Sequence, residues 1–157
     1  MWDKAAKKLS EWKKEGKDQY HISVNISTKD FYLVDVYETF VGLVDKYDID
    51  PVNLKIEITE TTLMSDLDKN MGIIRRLQNY GFNIEIDDFG SGYSSLNMLK
   101  DISADVLKID IFLRASKMRR KDLIFLKHNN TCGKLGMKVI KKVLKQKKAL
   151  YVSRDGV

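Results

Sequence analysis

The chain has 157 residues, 43% of them hydrophobic and 32% charged, with one proline and one cysteine, a balance that suits one globular domain and excludes a largely disordered polymer. No stretch reaches the roughly 20 apolar residues of a membrane span, Met1-Trp2-Asp3-Lys4 does not begin a signal peptide, and the single Cys132 excludes an internal disulfide or a cysteine zinc site, so a cytoplasmic location is expected. The net charge of +6 is concentrated in Lys141, Lys142, Lys145, Lys147 and Lys148; the rest of the chain is nearly balanced, which argues against a nucleic-acid-binding face.

Trp2, Ala5, Ala6, Leu9 and Trp12 recur at helical spacing with lysines between them, and predict an amphipathic helix ending near Gly16. "HISVNIS", residues 21–27, alternates β-branched and polar residues as a strand does, with Thr28 and Asp30 as cap candidates behind it. A helix from about Val34 to Tyr47 follows, then a turn at Pro51 and a second strand from Leu54 to Thr59. A helix from about Asp66 to Tyr80 leads through Gly81 to a third strand, Phe82 to Ile86. "ADVLKID" reads as a fourth strand, a helix spans about Lys121 to Leu135, and "MKVI" is a fifth strand. Strands alternating with helices predict a parallel α/β sheet, either open and doubly wound or part of a barrel. A closed eight-stranded barrel usually takes ~250 residues, more than this chain has.

Polar residues stand at the ends of the predicted strands: Asn25, Glu57, the pair Asp87 and Asp88, and Lys108. The carboxyl ends of parallel strands face the ligand site, so these residues are expected on one rim. Taken singly, Glu57 also fits a solvated strand face, and Asp-Gly sequences also fit a plain turn. Together they supply an amide oxygen and three carboxylates, the hard oxygen ligands that Mg²⁺ or Mn²⁺ prefer. Two such ions ~3.5 to 4 Å apart can hold a phosphate oxygen and activate water, and Lys108 adds positive charge where a phosphorane gathers negative charge. Adjacent strand residues point to opposite faces, so Asp87 and Asp88 act together only if the chain bends there; Phe89-Gly90-Ser91-Gly92 makes that bend plausible.

"SVNIS", "KIEITE", "IDDFGSGYSSLNMLK" and "LKID", in this order and spacing, resemble the motifs of the EAL-domain phosphodiesterases, which hydrolyse the bacterial messenger cyclic di-GMP. The resemblance runs from about Trp2 to about Ile140. It implies a partial TIM-type (β/α) barrel of about five strands, lacking the first and last strands of the family. It also implies two divalent ions, Mg or Mn, and the conversion of cyclic di-GMP to linear pGpG. By this resemblance Asn25, Glu57, Asp87 and Asp88 are metal ligands, Asp88 and Lys108 are catalytic, and Glu60 anchors the loop from Phe89 to Ser95. The partners implied are cyclic di-GMP, a homodimer, or sensory and GGDEF domains in a longer parent, with no nucleic acid and no membrane segment in this chain.

Two departures from the family accompany the resemblance. No Glu-Ala-Leu tripeptide occurs, although its glutamate is a metal ligand in the family, and "KVI" runs into "KKVLKQKKALYV" where the family has an EGVE motif. Codons for Glu-Gly-Val-Glu-Thr-Lys, read one base later as AAG GTG TTG AAA CAA AAG, give Lys142 to Lys147. We therefore divide the chain into a partial EAL domain, 1–140, and a divergent segment, 141–157, with a frame-shifted EGVE region and with "ALYVSRDG" again resembling the family's next helix. The alternative for the lysine run is an amphipathic terminal helix. The corresponding functional alternatives are a phosphodiesterase and a catalytically inactive remnant that binds cyclic di-GMP or a partner.

Overall fold

β-Branched residues in alternation build the sheet of the computed structural model, which describes residues 1–89, 105–110, 138–145 and 148–152. Helix α1 (Trp2–Lys14) precedes strand β1 (Ile22–Ile26); α2 (Thr28–Leu33) and α3 (Val36–Tyr47) lead to β2 (Leu54–Thr59); α4 (Glu60–Met64) and α5 (Leu67–Tyr80) lead to β3 (Ile84–Asp87). Strands β4 (Val106–Asp110), β5 (Lys138–Lys145) and β6 (Lys148–Val152) complete one six-stranded sheet in the order β1-β2-β3-β4-β5-β6. Each neighbouring pair from β1 to β5 is parallel, and β6 returns antiparallel to β5. This is the expected α/β architecture with its parallel strand ends on one side. The helix expected over 121–135 and the loop residues Gly90 to Ser95 lie outside the described residues.

The period of two along β1, β2 and β3 separates the sheet into two chemical faces. Val24, Ile26, Leu54, Ile56, Ile58, Ile84 and Ile86 are buried in one core with Leu9, Phe40, Ile74 and Leu77 of the helices. Phe40 ties the layers together: its ring lies 4.9 Å from Trp2 and 5.8 Å, edge-on, from Phe82. The other face carries Asn25, Glu57, Glu85 and Lys108.

Helix starts are written in short acidic side chains. Asp35 accepts from the Glu38 N–H at 3.0 Å and Asp66 from the Lys69 N–H at 3.4 Å, each satisfying a donor that has no partner within its own helix. Asp35 also explains why α3 begins at Val36 rather than Val34, whose backbone is extended. Residues 28–33, read from sequence only as caps, form a helix of their own: the Ser27 N–H and hydroxyl both donate to the Asp30 carboxylate, at 2.8 and 2.6 Å. The third strand starts at Ile84 rather than Phe82 because the Phe82 N–H returns to the Leu77 carbonyl, with Gly81 at φ +120° making the turn out of α5. Asp105 then docks β4, accepting from the Ile84 N–H at 2.8 Å and from Gln78 at 3.1 Å.

The C-terminal segment corrects two expectations. β5 continues through Lys141 and Lys142 to Lys145, and residues 148–152 form a strand, so the described parts are neither a lysine-rich helix nor the helix that "ALYVSRDG" resembles. Val139, Ile140 and Val143 favour extended backbone.

Candidate functional site

Asn25, Glu57 and Glu85 lie side by side across β1, β2 and β3, each in register with the next. Thr59 is opposite Asp87 one step nearer the strand ends, and Val106 of β4 is opposite Glu85, which brings Lys108 two residues further along the same face. Parallel pairing thus gathers the residues singled out from separate motifs onto one rim. Asn25 is exposed, and its backbone carbonyl accepts from the Trp2 indole at 3.0 Å, fixing the end of β1 against α1.

The bend expected after Asp87 is present. β3 ends at Asp87, and Asp88 takes a left-handed backbone with φ +54°, a conformation that Asp tolerates better than most residues. The Asp88 N–H donates to Asp87 Oδ1 at 3.0 Å, and the Phe89 N–H donates to the Lys108 carbonyl at 3.3 Å, which ties the turn to β4. Glu60, 3% exposed, is the first residue of α4. The loop it is expected to anchor lies, from Gly90 onward, outside the described residues.

Lys108 is buried between two glutamates. Its Nζ forms an ion pair with Glu57 Oε1 and another, at 2.7 Å, with Glu85 Oε2. Glu85 is held further by Lys55, 3.5 Å from Oε1, and by the Ser23 hydroxyl, which donates to Oε2 at 3.3 Å. Two lysines and two glutamates therefore balance in a region with little access to water. Removing Lys108 strips the buried Glu57 carboxylate of its ammonium, a change of the kind that typically costs ~3 to 5 kcal/mol.

Burial raises Glu57 above the ordinary carboxylate value, with the Lys108 ammonium opposing the rise and Glu85 adding to it. Burial also pushes Glu85 upward, but Lys108 and then Lys55 outweigh it, so Glu85 is held below its ordinary value. Burial would lower Lys108; its bonds to Glu57 and Glu85 outweigh that and raise it. At neutral pH Lys108 is thus an ammonium ion with Glu85 as a firm counter-ion.

Asn25, Glu57, Asp87 and Asp88 fit a divalent cation in donor type and in strand-end placement. They are not closed around one point: among the described residues no three carboxylate, imidazole or thiol side chains converge as a metal centre. The cation that Glu57 holds in this structure is the Lys108 ammonium.

Glu85 and Lys55 were missed in the sequence. The available signal was a charged residue inside "NIEID", where Glu85 lies two residues before Asp87 and so on the same strand face. A lone Glu in a strand reads as solvent-facing until its partner is known, and that partner is 23 residues away in sequence.

The sequence model of the EAL domain matches residues 1–155. The chain is 36% identical over 108 residues to the bifunctional diguanylate cyclase/cyclic di-GMP phosphodiesterase MucR of Pseudomonas aeruginosa, covering 69% of this chain and 16% of that protein. It is also 36% identical over 108 residues to the signalling protein YkoW of Bacillus subtilis, covering 69% of this chain and 13% of YkoW. The chain therefore spans only a small part of these curated relatives. Among solved structures, the MucR phosphodiesterase in complex with cyclic di-GMP superposes with a TM-score of 0.71 at 27% identity, over 93% of this chain and 60% of that one.

Proposed function

Because the chain belongs to the EAL domain family, we propose that its strand-end cluster is the metal- and phosphate-facing part of a site for cyclic di-GMP, of the kind that opens one phosphodiester to give linear pGpG. One observation carries this reading: Asn25, Glu57, Asp87 and Lys108 come from four successive parallel strands and share one end of one sheet face. Asn25 offers an amide oxygen, and Glu57, Asp87 and Asp88 offer carboxylates, to Mg²⁺ or Mn²⁺. Such an ion, when bound, polarises a phosphate oxygen and lowers the pKa of its water. Lys108 keeps an ammonium beside that position, where it favours the negative charge that builds on a phosphate under attack. The family resemblance gives Glu60, buried at the start of α4, the role of an anchor.

The same residues favour binding over turnover by these 157 residues alone. No Glu-Ala-Leu glutamate is among them, and Lys142 to Lys147 stand where the family motif supplies another. Losing carboxylates from a two-metal cluster disturbs metal affinity and water activation together. The expected result is Mn²⁺-dependent binding of cyclic di-GMP, read by calorimetry, without pGpG appearing by chromatography. Absence of Mn²⁺-dependent binding would overturn the site; pGpG formation would overturn the binding-only behaviour.

A further inference from the structure

A cleft of about 450 Å³ lies at the other end of the sheet from the rim, where the chain enters β1 and β2. The buried Leu9 and Ile49 line it, with the rings of Trp12 and Tyr20, whose centroids are 5.5 Å apart and whose planes are tilted by 54°. The Asn53 side-chain amide donates to the Asp18 carbonyl at 3.1 Å and ties the two entering segments together.

The charges of this cleft are unevenly answered. Lys13 and Lys17 border it, but each ammonium is taken by a carboxylate from outside the lining: Lys13 by Asp48 at 2.8 Å and Lys17 by Glu15 at 2.6 Å. Asp18 and Asp50 line the same cleft, and among the described residues neither forms an ion pair. Asp50 Oδ1 accepts from the Val52 N–H at 3.0 Å, which orients the carboxylate without neutralising it. Lys8, with Glu11 as its counter-ion, stands 5.8 Å from the Trp12 centroid. Tyr20 is 50% exposed and carries no such cation among the described residues. Two uncompensated carboxylates beside an open aromatic ring are complementary to a cation. A guanidinium suits both better than an ammonium does, because it is planar, meets carboxylates as a fork and stacks on rings. Val52, 46% exposed in the same lining, offers apolar surface to the methylene stem behind the charge.

We propose that this cleft is a docking site for an arginine side chain presented by a peptide segment of a protein partner, with Asp18 and Asp50 as counter-ions and Tyr20 as the stacking ring. The half-exposed Tyr20 and Val52 extend the contact to the residues beside that arginine. The cleft is at the opposite end of the strands from the rim, so its occupancy does not depend on the cyclic di-GMP reading.

The test is titration of the full chain with a blocked Gly-Arg-Gly tripeptide, followed through the two indole N–H signals in proton–nitrogen correlation spectra. Trp12 reports on the cleft, and Trp2, about 15 Å away at the other end of α1, is the control. The Trp12 signal is expected to move with a dissociation constant in the millimolar range while Trp2 stays in place. The corresponding citrulline tripeptide, similar in shape but uncharged, is expected to move neither. Asp18→Asn, Asp50→Asn and Tyr20→Leu are each expected to weaken binding about threefold. Asparagine keeps a cap on the Val52 N–H, so Asp50→Asn changes the charge alone. The proposal is overturned if citrulline moves Trp12 as far as arginine does, if Trp2 moves with Trp12, or if all three variants bind as the unmodified chain does. No movement of Trp12 at about 10 mM arginine peptide overturns it equally.

Discussion

Asp88 concentrates two demands in one residue. Its backbone sits at φ +54°, and the proposed function also calls on its carboxylate as a metal ligand. A non-glycine residue held there costs of order 1 kcal/mol, less for Asp and Asn, whose short polar side chains are compatible with that conformation. Asp88→Asn is therefore expected to keep the unfolding midpoint of the chain within a degree or two while abolishing Mn²⁺ binding. Asp88→Ala is expected to lose binding and also about 1 kcal/mol of stability. Urea denaturation alongside metal titration separates the two effects, and equal stability of the two variants would contradict the backbone argument. Asp87 and Asp88 drew attention because they close a strand beside a turn signal, and Glu57 because it is a carboxylate in the second half of its strand. Glu85 did not, since its meaning depends on Lys108 and Lys55, and only strand register brings these three together.

Among the elements, β1 and the segment leading into it carry a measurable electrostatic signature. Burial, and then the positive charge of Lys55, hold the His21 imidazole below its ordinary value of 6.5, with Glu85 opposing and Lys108 adding to the shift. The folded chain thus binds this proton less readily than the unfolded chain. The contribution of His21 is present above pH 6.5 and is lost as pH falls from 6.5 through the lower folded value. Urea midpoints are expected to fall on acidification through that window, and to fall less steeply in His21→Gln. An identical slope in both chains would contradict the shift. Strands β1 to β4 were readable from alternation, and α3 and α5 from apolar spacing, although the Asp35 cap that sets the start of α3 was not read. The short helices α2 and α4 were not: six and five residues are too few to show a helical period, and local caps define them instead. β5 and β6 were obscured by lysines, which suggested a helix although Val139, Ile140, Val143 and Val152 favour strand. The proposed frameshift belongs to this segment. Genomic sequencing is expected to find Glu-Gly-Val-Glu-Thr-Lys in the neighbouring frame of codons 142 to 147, and any other reading there contradicts it.

At the scale of the molecule, one sheet has an apolar face under helices and a polar face whose buried centre is charged. The apolar face accounts for folding through burial of side chains such as Ile56, Ile58 and Ile84, and the polar face carries the residues of the proposed site. Fold class followed from the alternation of strands and helices, and the rim from the rule that parallel strand ends face ligands. The network beneath the rim could not be read the same way, because it forms between strands in three dimensions rather than along the chain. In the proposed function the rim binds cyclic di-GMP through a divalent cation held by its carboxylates. Calorimetric titration of the chain with cyclic di-GMP, in Mn²⁺ and then in excess chelator, for the unmodified protein and Asp87→Asn, tests it most directly. Binding is expected only for the unmodified chain in Mn²⁺; binding that persists in chelator or in Asp87→Asn, or no binding in any arm, would overturn the proposed function.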